Sequence, residues 1–333
     1  MKKQTTAQLR KSNHNLVRNV MLTEEAWTKE ALAAATGLSR STCYNILMDM
    51  LAAGEAAELS HGASDGGRPA SRFQYRRTSV LFALVLLQCE NLQKSVSILV
   101  TDIGGAVLSR QKRQMDSVSV EFLGELLQET VKVDPRIKAV GISYPGAVRN
   151  GRTACWSDME ELTDLDLQTL LRQRLDLPLY IENDVNLGAW GYAQKHRGET
   201  DTFAYIAFPR GNLPGCGLVL NGQLFQGSRG FAGEVLYIQN QDWDEQRRRL
   251  REKHGLADMV LQMLRPITAL LDPDRIVVAG DEISAGDIAY IQEKCQAMVR
   301  HDFLPELIFQ GDYGPDNFAG LLSGVQRTCF TAD

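Results

Sequence analysis

The sequence predicts an α/β protein in which a winged helix-turn-helix head precedes a larger body of alternating strands and helices. Three observations carry the prediction. Residues 28–54 read as a short helix, a glycine turn, a serine cap and a longer helix. From residue 80 onward, apolar strand-like runs alternate with helical ones, the pattern of an α/β layer structure. Charge also divides the chain: residues 1–78 carry 11 Lys/Arg against 7 Asp/Glu, and residues 79–333 carry 25 against 34, a basic head on an acidic body.

At 333 residues, with 44% hydrophobic and 23% charged, the chain has the composition of a globular protein of two or three domains. No window approaches 18 consecutive apolar residues, and the opening MKKQTTAQLRKSN lacks a signal-peptide apolar stretch. A cytoplasmic protein with no membrane association is expected. The six cysteines, Cys43, Cys89, Cys155, Cys216, Cys295 and Cys329, stand singly, without the close pairing of a zinc or redox motif, and are read as reduced.

In the head, Leu16, Val17, Val20 and Met21 give residues 12–22 one apolar helical face. Ala33 is small enough for two helices to approach, Gly37 suits the left-handed end of the first, and Ser39 is a cap for the next. Leu38, Cys43, Ile46, Leu47 and Met50 form the apolar face of that second helix, so Arg40, Ser41, Tyr44 and Asn45 point away from it. Short polar and basic side chains on an outward helix face suit the DNA major groove. An αα-hairpin used only for packing is the alternative. Residues 55–77 then read as a two-stranded wing with the tip Ser64-Asp65-Gly66-Gly67-Arg68-Pro69. A hairpin turn would explain the glycines, whereas Arg68 suits the negative potential of a minor groove. The expected DNA contacts are Ser39, Arg40, Ser41, Tyr44, Asn45 and Arg68, with Lys11 and Arg72 on phosphates.

In the body, 80–89 and 95–113 read as successive strands, 137–148 as a buried strand ending in a Pro145-Gly146 turn, and 177–195 as a strand running into a helix. Strands at 202–208 and 216–227, a helical run over 242–271 and a buried strand at 274–280 follow.

These segments, in this order, resemble the ROK (repressor, open reading frame, kinase) family. The resemblance covers nearly the whole chain: Lys11-Ser12-Asn13, Gly37-Leu38-Ser39, Gly66-Gly67-Arg68-Pro69, Ile142-Ser143-Tyr144-Pro145-Gly146, Glu182-Asn183-Asp184-Val185-Asn186, the Gly230 to Glu234 segment and the Pro273 to Gly280 segment. It implies an actin-like (ribonuclease H-like), two-lobed body of sugar-kinase type, with domains at 1–78, 79–190 and 191–333. It also implies that Asp184 matches the general base of the family's kinases, although a carboxylate there also suits a helix cap.

The family's phosphate-binding elements are altered. Its DxGGT motif is imitated by Asp102-Ile103-Gly104-Gly105-Ala106, but strand counting puts the true counterpart one strand earlier, at Gln88-Cys89-Glu90-Asn91, without glycine and with an added carboxylate. Asp102 to Gly105 instead reads as a hairpin turn. The second motif, GTGIGxG, is matched by residues 211–217, where Asn212, Leu213 and Pro214 replace a hydroxyl, a glycine and an amide donor. Backbone without glycine cannot approach phosphates closely. In the family's GExGH element Tyr237 stands for the histidine, and no cysteine lies between Cys216 and Cys295, so neither zinc nor another cofactor is expected.

The expectation is therefore a DNA-binding regulator, most simply a repressor, with no enzymatic activity. It would act as a homodimer or tetramer on a double-stranded operator and sense a sugar or sugar phosphate through Asn183, Asp184 and Glu234. Glu234 serves equally well as an acceptor for backbone amides after a glycine turn. The rivals are a sugar kinase that keeps a DNA-binding head and a regulator whose body only dimerises.

Overall fold

The computed structural model describes residues 5–59, 71–154, 157–238, 242–298 and 300–331. The expected wing tip with Arg68, and Cys155, lie outside the described residues. The chain divides into two compact units. One comprises residues 1–82 with 100–108 and 135–138, and the other holds the rest.

The first unit opens with α1 (Thr6–Met21), begun by a capping box in which Thr5 and Gln8 satisfy each other's backbone amides. Strand β1 (Trp27–Thr28) leads into α2 (Lys29–Thr36), and Thr28 caps it by accepting from the Ala31 amide. Gly37, at φ 67°, ends α2 in the left-handed conformation, and Ser39 caps α3 (Arg40–Ala52) by accepting from the Thr42 amide. Strands β2 (Ala56–Leu59) and β3 (Arg72–Tyr75) pair antiparallel, and β1 joins the other edge of β3. Cys43, Ile46, Leu47 and Met50 are buried as expected, with Val17, Met21, Leu32 and Phe73.

Two details differ from the sequence reading. Leu16 is exposed and Leu38 only partly buried, whereas Arg18 is buried on α1. Its guanidinium donates to the Tyr75 hydroxyl (3.2 Å), Asn15 Oδ1 (2.7 Å) and Glu55 Oε2 (3.1 Å). A buried charge is tolerable only when paired and hydrogen-bonded, and the partners from β3 and from the end of α3 supply both.

The second unit is built on two five-stranded sheets. Strands β4 (Leu81–Glu90), β5 (Gln93–Asp102), β6 (Val107–Met115), β7 (Ile137–Tyr144) and β10 (Leu179–Asn183) run in the order β10-β7-β4-β5-β6. Helix α4 (Val120–Val133), a short hairpin of β8 (Ala147–Arg149) and β9 (Arg152–Ala154), and α5 (Leu167–Arg172) fill the connections. Helix α6 (Asp184–Lys195) follows β10 directly. The second sheet contains β11 (Phe203–Ala207), β12 (Gly215–Leu220), β13 (Gln223–Leu224), β14 (Arg275–Ala279) and β15 (Glu306–Gln310), ordered β13-β12-β11-β14-β15. Both sheets thus place their strands as third, second, first, fourth and fifth in chain order, the same arrangement used twice.

The run expected to be helical over 242–271 is two helices, α7 (Trp243–Leu250) and α8 (Gly255–Leu271), because His254 adopts φ 60° between them. Helices α9 (Ala285–Met298) and α10 (Gly314–Thr331) complete the fold. Helix α10 packs along α6, and Gly191 and Gly320 allow the approach: a Cβ on either would lie within 2.0 Å of the other helix's backbone. Cys43, Cys89, Cys216, Cys295 and Cys329 are free thiols. Among the described residues no helix is long and apolar enough to cross a membrane.

Candidate functional site

On the first unit, Ser39, Arg40, Ser41, Tyr44 and Asn45 share one exposed stretch of α3. Ser39 is committed to the cap, and its hydroxyl also meets those of Ser41 (3.0 Å) and Thr42 (2.8 Å). Lys29, which the sequence reading missed, holds its ammonium 4.5 Å above the Tyr44 ring. Arg72 is exposed on β3 and Lys11 half-buried on α1. Position along the chain gave no hint of Lys29, which reaches Tyr44 only because α2 crosses α3.

On the second unit, Asn183, Asp184 and Glu234 line one cavity of about 340 Å³. Its position follows from local chain geometry. Strand β10 ends at Asn183, whose Oδ1 accepts from the Asn186 amide (2.8 Å) and starts α6, while its Nδ2 donates to the Gly146 carbonyl (3.0 Å). The capping role weighed for Asp184 therefore belongs to Asn183. Asp184 instead takes the first helical position, with Oδ1 accepting from the Val185 amide (2.9 Å) and from Asn183 Nδ2 (3.2 Å). Burial pushes its carboxyl up to about 7, and the nearby Glu234 and Asp158 charges add to the shift. Glu234 follows the left-handed Gly233 and is also raised by burial. Its carboxylate makes no hydrogen bond among the described residues, so it is not spent on backbone amides.

Sequence reasoning missed Asp158, Trp243 and Arg247, which also line this cavity. Arg247 Nη2 donates to Asp158 Oδ1 (2.8 Å), and Asn212 Nδ2 donates to Asp158 Oδ2. Residues 157–160 and α7 are distant in sequence, and only the fold joins them.

Space for a nucleotide would lie on the other side of Asp184, in a pocket of about 130 Å³ that Asp184 also borders. Its polar lining includes the carboxylates of Glu90, Asp281 and Asp312 and a single cation, Arg210. Burial, with the Asp184 charge, raises the Tyr313 phenol here well above its ordinary value. The end of β4 and the turn after it, residues 88–91, are bonded to the 209–213 loop: the Asn91 amide donates to the Arg210 carbonyl (3.2 Å), and Asn212 Nδ2 donates to the Cys89 carbonyl (3.4 Å). A Cβ on Gly211 would lie 2.1 Å from Asn91 Oδ1, and the Gly211 amide already donates to Glu282 Oε2 (3.0 Å). Amides that cradle a phosphate must be unoccupied and facing it. These residues do not fit a triphosphate.

The Asp102–Gly105 segment is the turn between β5 and β6. Asp102 Oδ1 accepts from the Gly104 (2.8 Å) and Ala106 (2.9 Å) amides, and Gly105 takes the left-handed φ of 89° that closes the turn, with Gly104 lying against the Arg77 side chain. Tyr237 packs against Phe231 and Trp243, with ring centroids 5.0 and 5.7 Å away, and no metal-holding cluster of His, Cys, Asp or Glu occurs among the described residues.

Two sheets of repeated topology flanking a polar cavity at a helix N-terminus define an actin-like fold of sugar-kinase type. Residues 93–248 match the model of the ROK family. It is 22% identical over 240 residues to the xylose repressor of Bacillus subtilis (strain 168), a match covering 68% of this chain and 60% of that repressor. The chain thus matches less than two thirds of that relative's length. A crystal structure of a ROK family transcriptional regulator, a homologue of the E. coli MLC protein, superposes with a TM-score of 0.70 at 16% identity, covering 97% of this chain and 98% of that one. A ROK family glucokinase from Streptomyces griseus, crystallised with glucose and AMPPNP, superposes with a TM-score of 0.52 at 17% identity, covering 74% and 99%.

Proposed function

We propose that this protein is a DNA-binding transcriptional repressor whose ROK body senses an unphosphorylated sugar and does not phosphorylate it. The single observation that carries the reading is the bonding of residues 88–91 to the 209–213 loop, which occupies the polar groups there and borders a carboxylate-lined pocket of only about 130 Å³, while the Asp184–Glu234 cavity of about 340 Å³ stays open. Kinase chemistry requires both a base and a phosphate cradle, and only the base position survives.

The charge of the cavity selects among effectors. Asp158, Glu160, Asp184 and Glu234 border it, and its one arginine, Arg247, is paired with Asp158. A phosphate would meet carboxylates, whereas neutral hydroxyls find acceptors in Asp184 and Glu234, with Asn183, whose amide is spent on Gly146, Asp184 and Asn186, fixing the position of Asp184. Arg40, Ser41, Tyr44 and Asn45 would read the major groove, Arg68 would enter the minor groove, and Lys11 and Arg72 would meet phosphates. Two copies related by two-fold symmetry, as a dimer or within a tetramer, would match a palindromic operator in the cytoplasm. The likeness to the xylose repressor supports this reading.

The test is selection of bound DNA from a random pool with purified protein, followed by anisotropy titrations with and without pentoses, hexoses and their phosphates. Unphosphorylated sugar should change DNA affinity at least fivefold, and phosphorylated sugar should not. No selected sequence, or an equal response to both, refutes the proposal. The buried Asp184, with its carboxyl near neutrality, favours the kinase as a second reading. Sugar-dependent ATP turnover in a coupled assay would establish it.

A further inference from the structure

Strand β10 borders two cavities. Asn183 lines the cavity described above, and Glu182 lines another of about 400 Å³. This second cavity has the opposite electrostatic character. Arg172, at the end of α5, and Arg327, on α10, border it, and Arg172 has no acidic partner among the described residues. The side-chain amides of Asn150 and Gln223 line it without hydrogen bonds among the described residues. Tyr180 and Trp190 supply aromatic surface.

The one carboxylate in the lining, Glu182, is already satisfied. Its Oε1 accepts from the Asn183 amide (2.9 Å) and Asn186 Nδ2 (3.1 Å), and its Oε2 accepts from Gln226 Nε2 (2.6 Å). Burial pushes its carboxyl up to about 7, which further reduces the negative charge an entering anion would meet. Two glycines fix the walls. Gly151, at φ 75°, seats the β8–β9 turn on Gln168, where a Cβ would come within 2.1 Å of that side chain. Gly324 lets the Tyr180 ring lie on α10, where a Cβ would come within 2.0 Å. The concavity is therefore formed by packing and exists before any ligand arrives.

We propose that this cavity binds a small anionic metabolite, its phosphate or carboxylate held between Arg172 and Arg327 and its carbon skeleton laid against Tyr180 and Trp190. Guanidinium groups recognise both anions through paired N–H donors. The site is separate from the sugar cavity but joined to it: Gln226 belongs to the segment leading to Gly233 and Glu234, and Glu182 bonds both Gln226 and the first turn of α6.

The test uses the full chain, with thermal melting and tryptophan fluorescence read against inorganic phosphate, glucose 6-phosphate, gluconate and, as the neutral control, glucose. A saturable rise in melting temperature of 2 °C or more is expected with at least one anion, since a ligand of the native state alone must stabilise it. Phosphate and gluconate separate the two anion classes. Arg172→Gln and Arg327→Gln should each weaken binding at least tenfold, whereas Trp190→Phe should remove the fluorescence change and keep the thermal shift. Arg172 is exposed, so its variant reports on binding rather than folding. No saturable response to any anion, or an undiminished response in both arginine variants, overturns the proposal. A sugar in the other cavity does not enter this reading, because only the part of the response lost in Arg172→Gln and Arg327→Gln is assigned here, and any shift with glucose should be the same in those variants.

Discussion

Asp184 and Glu182 make the body's stability depend on pH. Both carboxyls are pushed up to about 7 by burial, so both are raised above their unfolded values. For a carboxyl shifted in this direction, the stabilising contribution is complete below the unfolded value, around pH 4, and is lost as pH rises through about 7. Melting temperature should therefore fall between pH 5 and 8. Asp184→Asn should flatten this slope, because an amide carries no titrating proton, and a slope as steep as wild type would contradict the assignment. The same variant should weaken sugar binding at least tenfold in a thermal-shift titration. In the other unit, Arg18→Met leaves Glu55 and Tyr75 without their shared donor and should cost about 2–4 kcal/mol, read from chemical denaturation. The importance of Arg18 could not be read from the sequence. Its partners stand 37 and 57 residues away, and helical periodicity gives a buried arginine no mark that separates it from an exposed one.

Elements bounded by local chemistry were the most legible. Gly37 and Ser39 end one helix and begin the next by interactions within three residues, and both did so where the sequence indicated. Removing the cap with Ser39→Ala should destabilise α3 by about 1 kcal/mol. It should also weaken DNA binding less than Asn45→Ala does, because Asn45 makes no cap. If the order is reversed, α3 is not the reading helix. The run expected to be helical over 242–271 broke at His254, whose residue type gives no sign of the left-handed backbone it adopts. The two glycine-bearing segments show the limit more sharply. Asp102–Gly105 looks like a phosphate motif, and only its place in the strand order, together with the contact of Gly104 with Arg77, identifies it as a turn. The hydrogen bond from Asn212 to the Cys89 carbonyl spans 123 residues and has no local signature.

At the scale of the whole molecule, the proposed repressor would hold its nucleic acid on the basic head, and the acidic body would repel it. DNA affinity should fall with salt, and Arg72→Gln should lower the slope of log affinity against log salt by about one without altering sequence preference. A variant that changes the preferred sequence would show Arg72 reading bases instead. The alternation of strands and helices was enough to foresee an α/β body, because each strand carries its own apolar run. Asn183, Asp184 and Glu234 were singled out by resemblance and line one cavity, whereas Asp158, Trp243 and Arg247 became visible only when separate segments closed around that space.

The pair of bonds joining residues 88–91 to 209–213 has an evolutionary consequence. The Asn91 amide and the Arg210 and Cys89 carbonyls are main-chain groups, so side-chain exchanges at 89, 91 or 210 leave them in place, and Asn212 alone contributes a replaceable donor. Under the proposed reading, parting these segments takes more than one substitution, and a lineage of such sensors would have few short mutational routes toward consuming what it senses.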